Sequence, residues 1–205
     1  RRCDPATLDF ETTAELPVEP RDTRAAVREL WDAEQRRIET ELEERRKANA
    51  PVDAAEIAEG MGAALAFVPR IEVETRTERE RHFTTVRAPG SELVIVHLTA
   101  VHHKSVGAGL ARAADLARSS KVAVLRESRF ELPESWASVE EKRTEFERMP
   151  NARWLWLSSE DVLRCLTLAR LSSLARAKRL RPAGSEEPIE LEALHAELTA
   201  LVAPA

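Results

Sequence analysis

The sequence predicts an α/β domain: a mixed sheet of about five strands flanked by helices, with an N-terminal helical arm. Three observations carry this. Apolar residues recur at helical spacing over residues 22–47, 53–67, 105–118, 133–149 and 158–182, the period of helices with one buried stripe. Residues 70–88 instead alternate β-branched or apolar with charged side chains, the two-residue period of strands with one wet face. Between the later helical stretches stand three short apolar runs, ELVIVHLTA at 92–100, KVAVLRE at 121–127 and ARWLWLS at 152–158, which read as buried strands.

Composition narrows the class. A chain of 205 residues with 43% hydrophobic and 33% charged residues can build one domain with an appendage, or two small domains. No apolar run reaches the roughly 18 residues of a membrane span. The start, RRCDPATLDF, has no initiator Met and no signal-peptide pattern, which predicts a piece of a longer cytosolic polypeptide or a processed product. Cys3 and Cys165 stand far apart and lack metal-ligand spacing, as expected of a reducing, cytoplasmic setting. The formal charge of -5 argues against coating nucleic acid by bulk electrostatics, and the absence of Tyr argues against a base-stacking platform.

Taken in order, residues 1–20 carry prolines and no sustained period, so they read as a linker or lead-in. Over 21–49, Val27, Leu30, Trp31, Ile38 and Leu42 form a narrow stripe on an otherwise charged helical arm. Asp22 suits its N-cap, and Arg45, Arg46 and Lys47 suit its C-terminus, where cations oppose the helix dipole. A small-residue helix then runs from Asp53 to Phe67 and stops at Pro69; its Ala and Gly residues allow close approach to a sheet. Two strands follow, then a turn at Ala88, Pro89 and Gly90 and the central strand. Ser105 is placed as the N-cap of a helix burying Val106, Leu110, Ala113, Ala114 and Ala117. In the strand at 152–158, Trp154 and Trp156 share one face and Leu155 and Leu157 the other, which burial on both faces would satisfy. Ser158 and Asp161 stand at capping-box spacing before a helix that runs to Pro182. The main domain thus spans 50–182, and a tail over 183–205 ends in the short helix LEALHAELTALV. The first three strands pair antiparallel or mixed, because their connections are too short for crossover helices, and the later ones pair in parallel.

Over residues 53–127 this order of helix, three strands, helix and fourth strand resembles the core of restriction-endonuclease-like folds, the PD-(D/E)xK superfamily. In its modification-dependent branch a hairpin ends in Asp, and the third strand carries an acid or Gln, any residue, then Lys. A helix then begins near Val-Gly; here ELVIVHLTA is followed by SVGAGLARAADLA. The resemblance implies DNA as the ligand and genome defence or repair as the setting. It also implies a divalent ion held by two carboxylates, with Lys serving the attacking water. At the matching positions the chain offers Ala88, Pro89 and Gly90 on the hairpin and His97, Leu98 and Thr99 on the strand. Glu56 or Glu59 on the preceding helix adds one carboxylate. The resemblance therefore implies a pseudo-nuclease, with no metal, no cofactor and no catalytic residue.

Candidate contacts follow from placement. His102, His103 and Lys104 lie between a strand end and a helix start, where backbone N–H groups and cations both suit a phosphate; the alternative is a solvated loop. Adjacent histidines diverge on a regular backbone, so they make a poor metal pair, while a general-base role defines a third, hydrolase reading. Gly107 and Gly109 have no third Gly and suit close packing rather than dinucleotide binding. Six cations and no acid lie between Val162 and Pro182. Of these, Arg176, Lys178, Arg179 and Arg181 are the expected nucleic-acid or acidic-partner contacts, against the alternative of a solvated, dipole-matched helix end. Leu30, Trp31 and Ile38 are the expected anchor for a protein partner or a neighbouring domain of the parent chain. The leading expectation is a non-catalytic nucleic-acid-binding or scaffolding module of a larger assembly; the alternative is a protein interaction domain acting through the 22–47 helix.

Overall fold

The alternating segment resolves into β1 (Glu72–Glu78) and β2 (Arg81–Ala88), and a turn at Pro89 and Gly90 leads into β3 (Ser91–His97). Gly90 sits at φ 76°, the left-handed conformation that this tight reversal needs. In the computed structural model, which describes residues 23–66, 68–78 and 81–202, five strands form one sheet in the order β1-β2-β3-β4-β5. Strands β1, β2 and β3 pair antiparallel, whereas β3, β4 (Lys121–Glu127) and β5 (Ala152–Leu157) pair in parallel. The mixed α/β sheet and its split between pairing modes are as the sequence predicts. The lead-in over 1–20 and the Asp22 cap lie outside the described residues.

Each face of the sheet has its own helical layer. On one, α3 (His103–Ala117) and α4 (Ala137–Glu147) cover Phe83, Val94, Val96, Val122 and Val124 with Val106, Leu110, Val139 and Phe146. On the other, α1 (Thr23–Lys47), α2 (Ala54–Leu65) and α5 (Ser159–Arg176) cover Ile95, Ala123 and Leu125. α6 (Leu191–Val202) closes the far end of that layer, where Leu194 and Leu198 join Val27 and Leu171. Capping is local: Asp53 and Glu56 form a capping box on α2, and Ser158 and Asp161 form the one expected on α5. Among the described residues no helix is long and apolar enough to cross a membrane.

Four features depart from the sequence reading. The helical arm is part of the core: Ile38 is 1% exposed, and Arg170 of α5 reaches Glu34 at 3.2 Å and Glu41 at 2.9 Å on α1. Ile38 is thus not free to anchor a partner, and Leu30 and Trp31 are partly buried against the α5–α6 cluster. The tail is likewise packed through α6. α5 stops at Arg176 because Lys178 turns left-handed at φ 54°, with Lys178 N–H donating to Ala175 and Arg179 N–H to Leu174. This is a Schellman ending with Lys where Gly is usual, so no glycine marks it. β5 is an edge strand, and Leu155 and Trp156 are 46% and 42% exposed rather than buried on both faces.

Candidate functional site

Where α2 crosses the antiparallel half of the sheet it leaves a groove of about 760 Å³. The wall is made of small residues, among them Ala58, Gly62 and Ala63, so side chains do not fill the space. Strand alternation turns Val73, Thr75 and Thr77 of β1 and His82 of β2 toward α2, giving a floor of hydroxyls and one imidazole. Thr77 Oγ1 and His82 Nδ1 are 3.1 Å apart. Glu59 and Arg176 meet at 3.7 Å on the rim. The sequence reading missed this floor because Thr and charged residues alternate there and look merely solvated; the spacing of Thr75 and Thr77 and the cross-strand partner His82 are the signal.

Beside the groove, His97 ends β3 and stands opposite His82 in the β2–β3 register. It is 5% exposed, its Nε2 lies 2.8 Å from Thr84 Oγ1, and its buried Nδ1 has no hydrogen-bond partner. Burial pushes its pKa down to about 4, and the neighbouring His82 adds to the effect. An unfolded imidazole titrates near pH 6.5, so the unfolded chain takes up this proton first as pH falls. The stabilisation is complete above about pH 6.5 and is lost toward about pH 4, on the order of 3 kcal/mol in all. Urea unfolding at pH 7 and about pH 4.5 should show a smaller acid loss for His97→Gln than for the parent chain; equal losses would show that His97 does not titrate as described.

The register also relocates the hairpin position. Ala88 pairs with Ser91, so the Ala88–Gly90 turn lies at the opposite end of β3 from His97, and the residue across from His97 is His82. Three positions at this end are therefore His82, His97 and Glu59, with Thr84 between the strands. This donor set does not fit a divalent ion of the magnesium type, which takes carboxylate oxygens. One imidazole nitrogen is engaged by Thr84, and the sole carboxylate faces Arg176. Among the described residues no three His, Cys, Asp or Glu side chains are grouped to hold a metal.

The other expected contacts divide between the two faces of the sheet. His102 is the N-cap of α3, making no side-chain cap bond, and His103 and Lys104 open its first turn, so the cap falls three residues before the expected Ser105. All three are exposed, and that turn contains no acid. His103 stacks obliquely 6.0 Å from Trp136. The strand-to-helix loop is held from below by Arg126, 2% exposed, which donates to the carbonyls of Leu98 at 3.1 Å, Ala100 at 2.9 Å and Phe130 at 2.7 Å. On the other face the basic cluster is largely paired: Arg164 with Glu160, Arg170 with Glu34 and Glu41, Arg176 with Glu59, and Lys178 with Glu190. Arg179 and Arg181 are exposed and carry no acid partner among the described residues. Comparison with protein-family models, curated proteins and solved structures gives no significant match.

Proposed function

We propose that the chain is a non-catalytic nucleic-acid-binding or scaffolding module on a restriction-endonuclease-like core, acting within a larger assembly that handles nucleic acid, with genome defence the setting its resemblance implies. One observation carries this reading. The order α2–β1–β2–β3–α3–β4, antiparallel then parallel, ends its third strand in the neutral, buried His97 where the resemblance expects a carboxylate. The groove has hydroxyls and one imidazole for binding, and Glu59 is the one carboxylate in its lining, so it offers no carboxylate pair for metal-dependent hydrolysis. Neither His102 nor His103 has a carboxylate partner among the described residues, which leaves the hydrolase reading without its base-orienting group.

The contact surface in this proposal is the start of α3. Its first N–H groups and Lys104 supply positive charge, the two histidines add ring N–H donors, and the turn itself holds no acid, an arrangement suited to phosphate. Arg126 positions the loop and does not touch the ligand. Arg179 and Arg181 are a secondary contact on the other layer. Fluorescence anisotropy with duplex DNA and duplex RNA over a salt series tests the proposal. Binding should weaken as salt rises, and Lys104→Ala should reduce the log–log slope by about one, the share of one phosphate contact. No binding at low ionic strength, or an unchanged slope in Lys104→Ala, would overturn it.

A further inference from the structure

The two edges of the sheet differ in a way that points to a partner. β1, at one edge, reads Glu72-Val73-Glu74-Thr75-Arg76-Thr77-Glu78, and its alternating charges deter another strand from pairing. β5, at the other edge, reads Ala152-Arg153-Trp154-Leu155-Trp156-Leu157 and has no such guard beyond Arg153, whose guanidinium turns back onto the Ala152 carbonyl at 2.7 Å. Val122 N–H donates to Asn151 and Ser128 N–H to Leu157, which sets the alternation of the parallel ladder. Odd-numbered residues of β5 therefore bond into β4, and the main-chain N–H and C=O groups of Trp154 and Trp156 point outward. No further strand lies beyond them among the described residues. An edge with open backbone groups flanked by Leu155 at 46% and Trp156 at 42% exposure fits an added strand.

Charge identifies the occupant. Beside Trp156, on the α4 side of the edge, a groove of about 880 Å³ is lined by Glu131, Glu134 and Glu140 against a single cation, Arg143. That cation is already committed, to Glu140 and, at 3.2 Å, to Glu147. The groove therefore favours a cationic ligand. Residues 1–22 of this chain do not suit it, since they hold six acids and three bases. A second copy does not suit it either: a twofold pairing of β5 with β5 keeps both α4 layers on one face and brings acidic walls together.

We propose that the β5 edge is a docking site for an extended peptide strand of a partner protein, with Lys or Arg at alternate positions facing the acidic groove and apolar residues between them facing Leu155. Backbone pairing supplies the register, and the alternation supplies the specificity. The test uses the full chain with a fluorescent peptide of alternating lysine and valine, a glutamate–valine counterpart and a lysine–proline counterpart that lacks alternate N–H donors. The lysine–valine peptide should bind, and Leu155→Asp and Trp156→Ala should each weaken it by about tenfold or more. Glu131→Gln with Glu134→Gln should flatten the salt dependence while leaving the far-ultraviolet circular dichroism unchanged, which separates lost contact from lost fold. Equal binding of the proline or glutamate peptides would overturn the proposal. So would a stable dimer in light scattering that Trp156→Ala dissociates, because the edge would then belong to a second copy.

Discussion

Gly60→Ala is expected to lower the melting temperature by about 10 °C, a loss of about 3 kcal/mol. Within an isolated helix the same change would be favourable by about 1 kcal/mol, because alanine loses less backbone entropy. The sign reverses here because a Cβ on Gly60 would sit 2.1 Å from the carbonyl oxygen of Cys165 and 2.5 Å from its carbonyl carbon. These are backbone atoms of α5, so no rotamer change relieves the clash and the two helices must separate. Separation reaches the sheet, since Ile57 of α2 and Val162 and Leu166 of α5 share the cluster that covers Ile95 and Leu125. Gly62, two residues along the same helix, supplies the control: its added Cβ would meet only Val73 Cγ1, at 3.9 Å. Gly62→Ala should therefore stabilise by several tenths of a kcal/mol up to about 1. Thermal melts of the two variants check the account, and a Gly60→Ala melt at or above that of the parent chain would sink it.

Arg126→Met is expected to destabilise by about 3 kcal/mol, since three carbonyls lose charge-assisted hydrogen bonds at once. The guanidinium is buried without a carboxylate beside its donors, and burial draws its pKa down to about 10, so it is still a cation at neutral pH. Its partners lie on two loops, those after β3 and after β4, and only a branched planar donor spans both. Arg126→Lys should therefore recover little of the loss. Hydrogen exchange gives the more specific readout: amides over residues 98–103 and 128–131 should lose protection beyond the global change. Uniform loss of protection across the chain would show that Arg126 is a general core residue and does not hold these loops. The neighbouring Glu127 faces the other layer, accepting from Val52 N–H at 2.8 Å and from Arg129, which in turn donates to Ala50. Consecutive residues of β4 thus tie down opposite sides of the same strand end.

Much of the framework could be read from side-chain order because it rests on local physics. The period change at residue 70, the turn at Gly90 and the Ser158–Asp161 box each depend on residues close in sequence, and each is found. The candidate site was less legible. Glu59, Thr75, His82, Thr84 and His97 come from α2 and three strands, and only the register sets His82 opposite His97. The basic run over 164–181 was visible as composition, but its neutralisation by Glu160, Glu34, Glu41, Glu59 and Glu190 was not, because four of these five acids are distant in sequence or beyond a turn.

By itself the sequence determined the class, an α/β chain of helices around a mixed sheet of about five strands, with the first three strands antiparallel or mixed and the later ones parallel. Connection length decides the pairing direction, since a hairpin turn cannot join parallel strands and a crossover helix can. Tertiary structure alone decided burial. It turned the charged helix α1 from an arm into a wall of the core, placed ARWLWL at an edge, and left His97 neutral beside a groove. Burial depends on which surfaces meet, and an amphipathic stripe or an apolar strand has the same pattern whether its cover comes from this chain or from a partner.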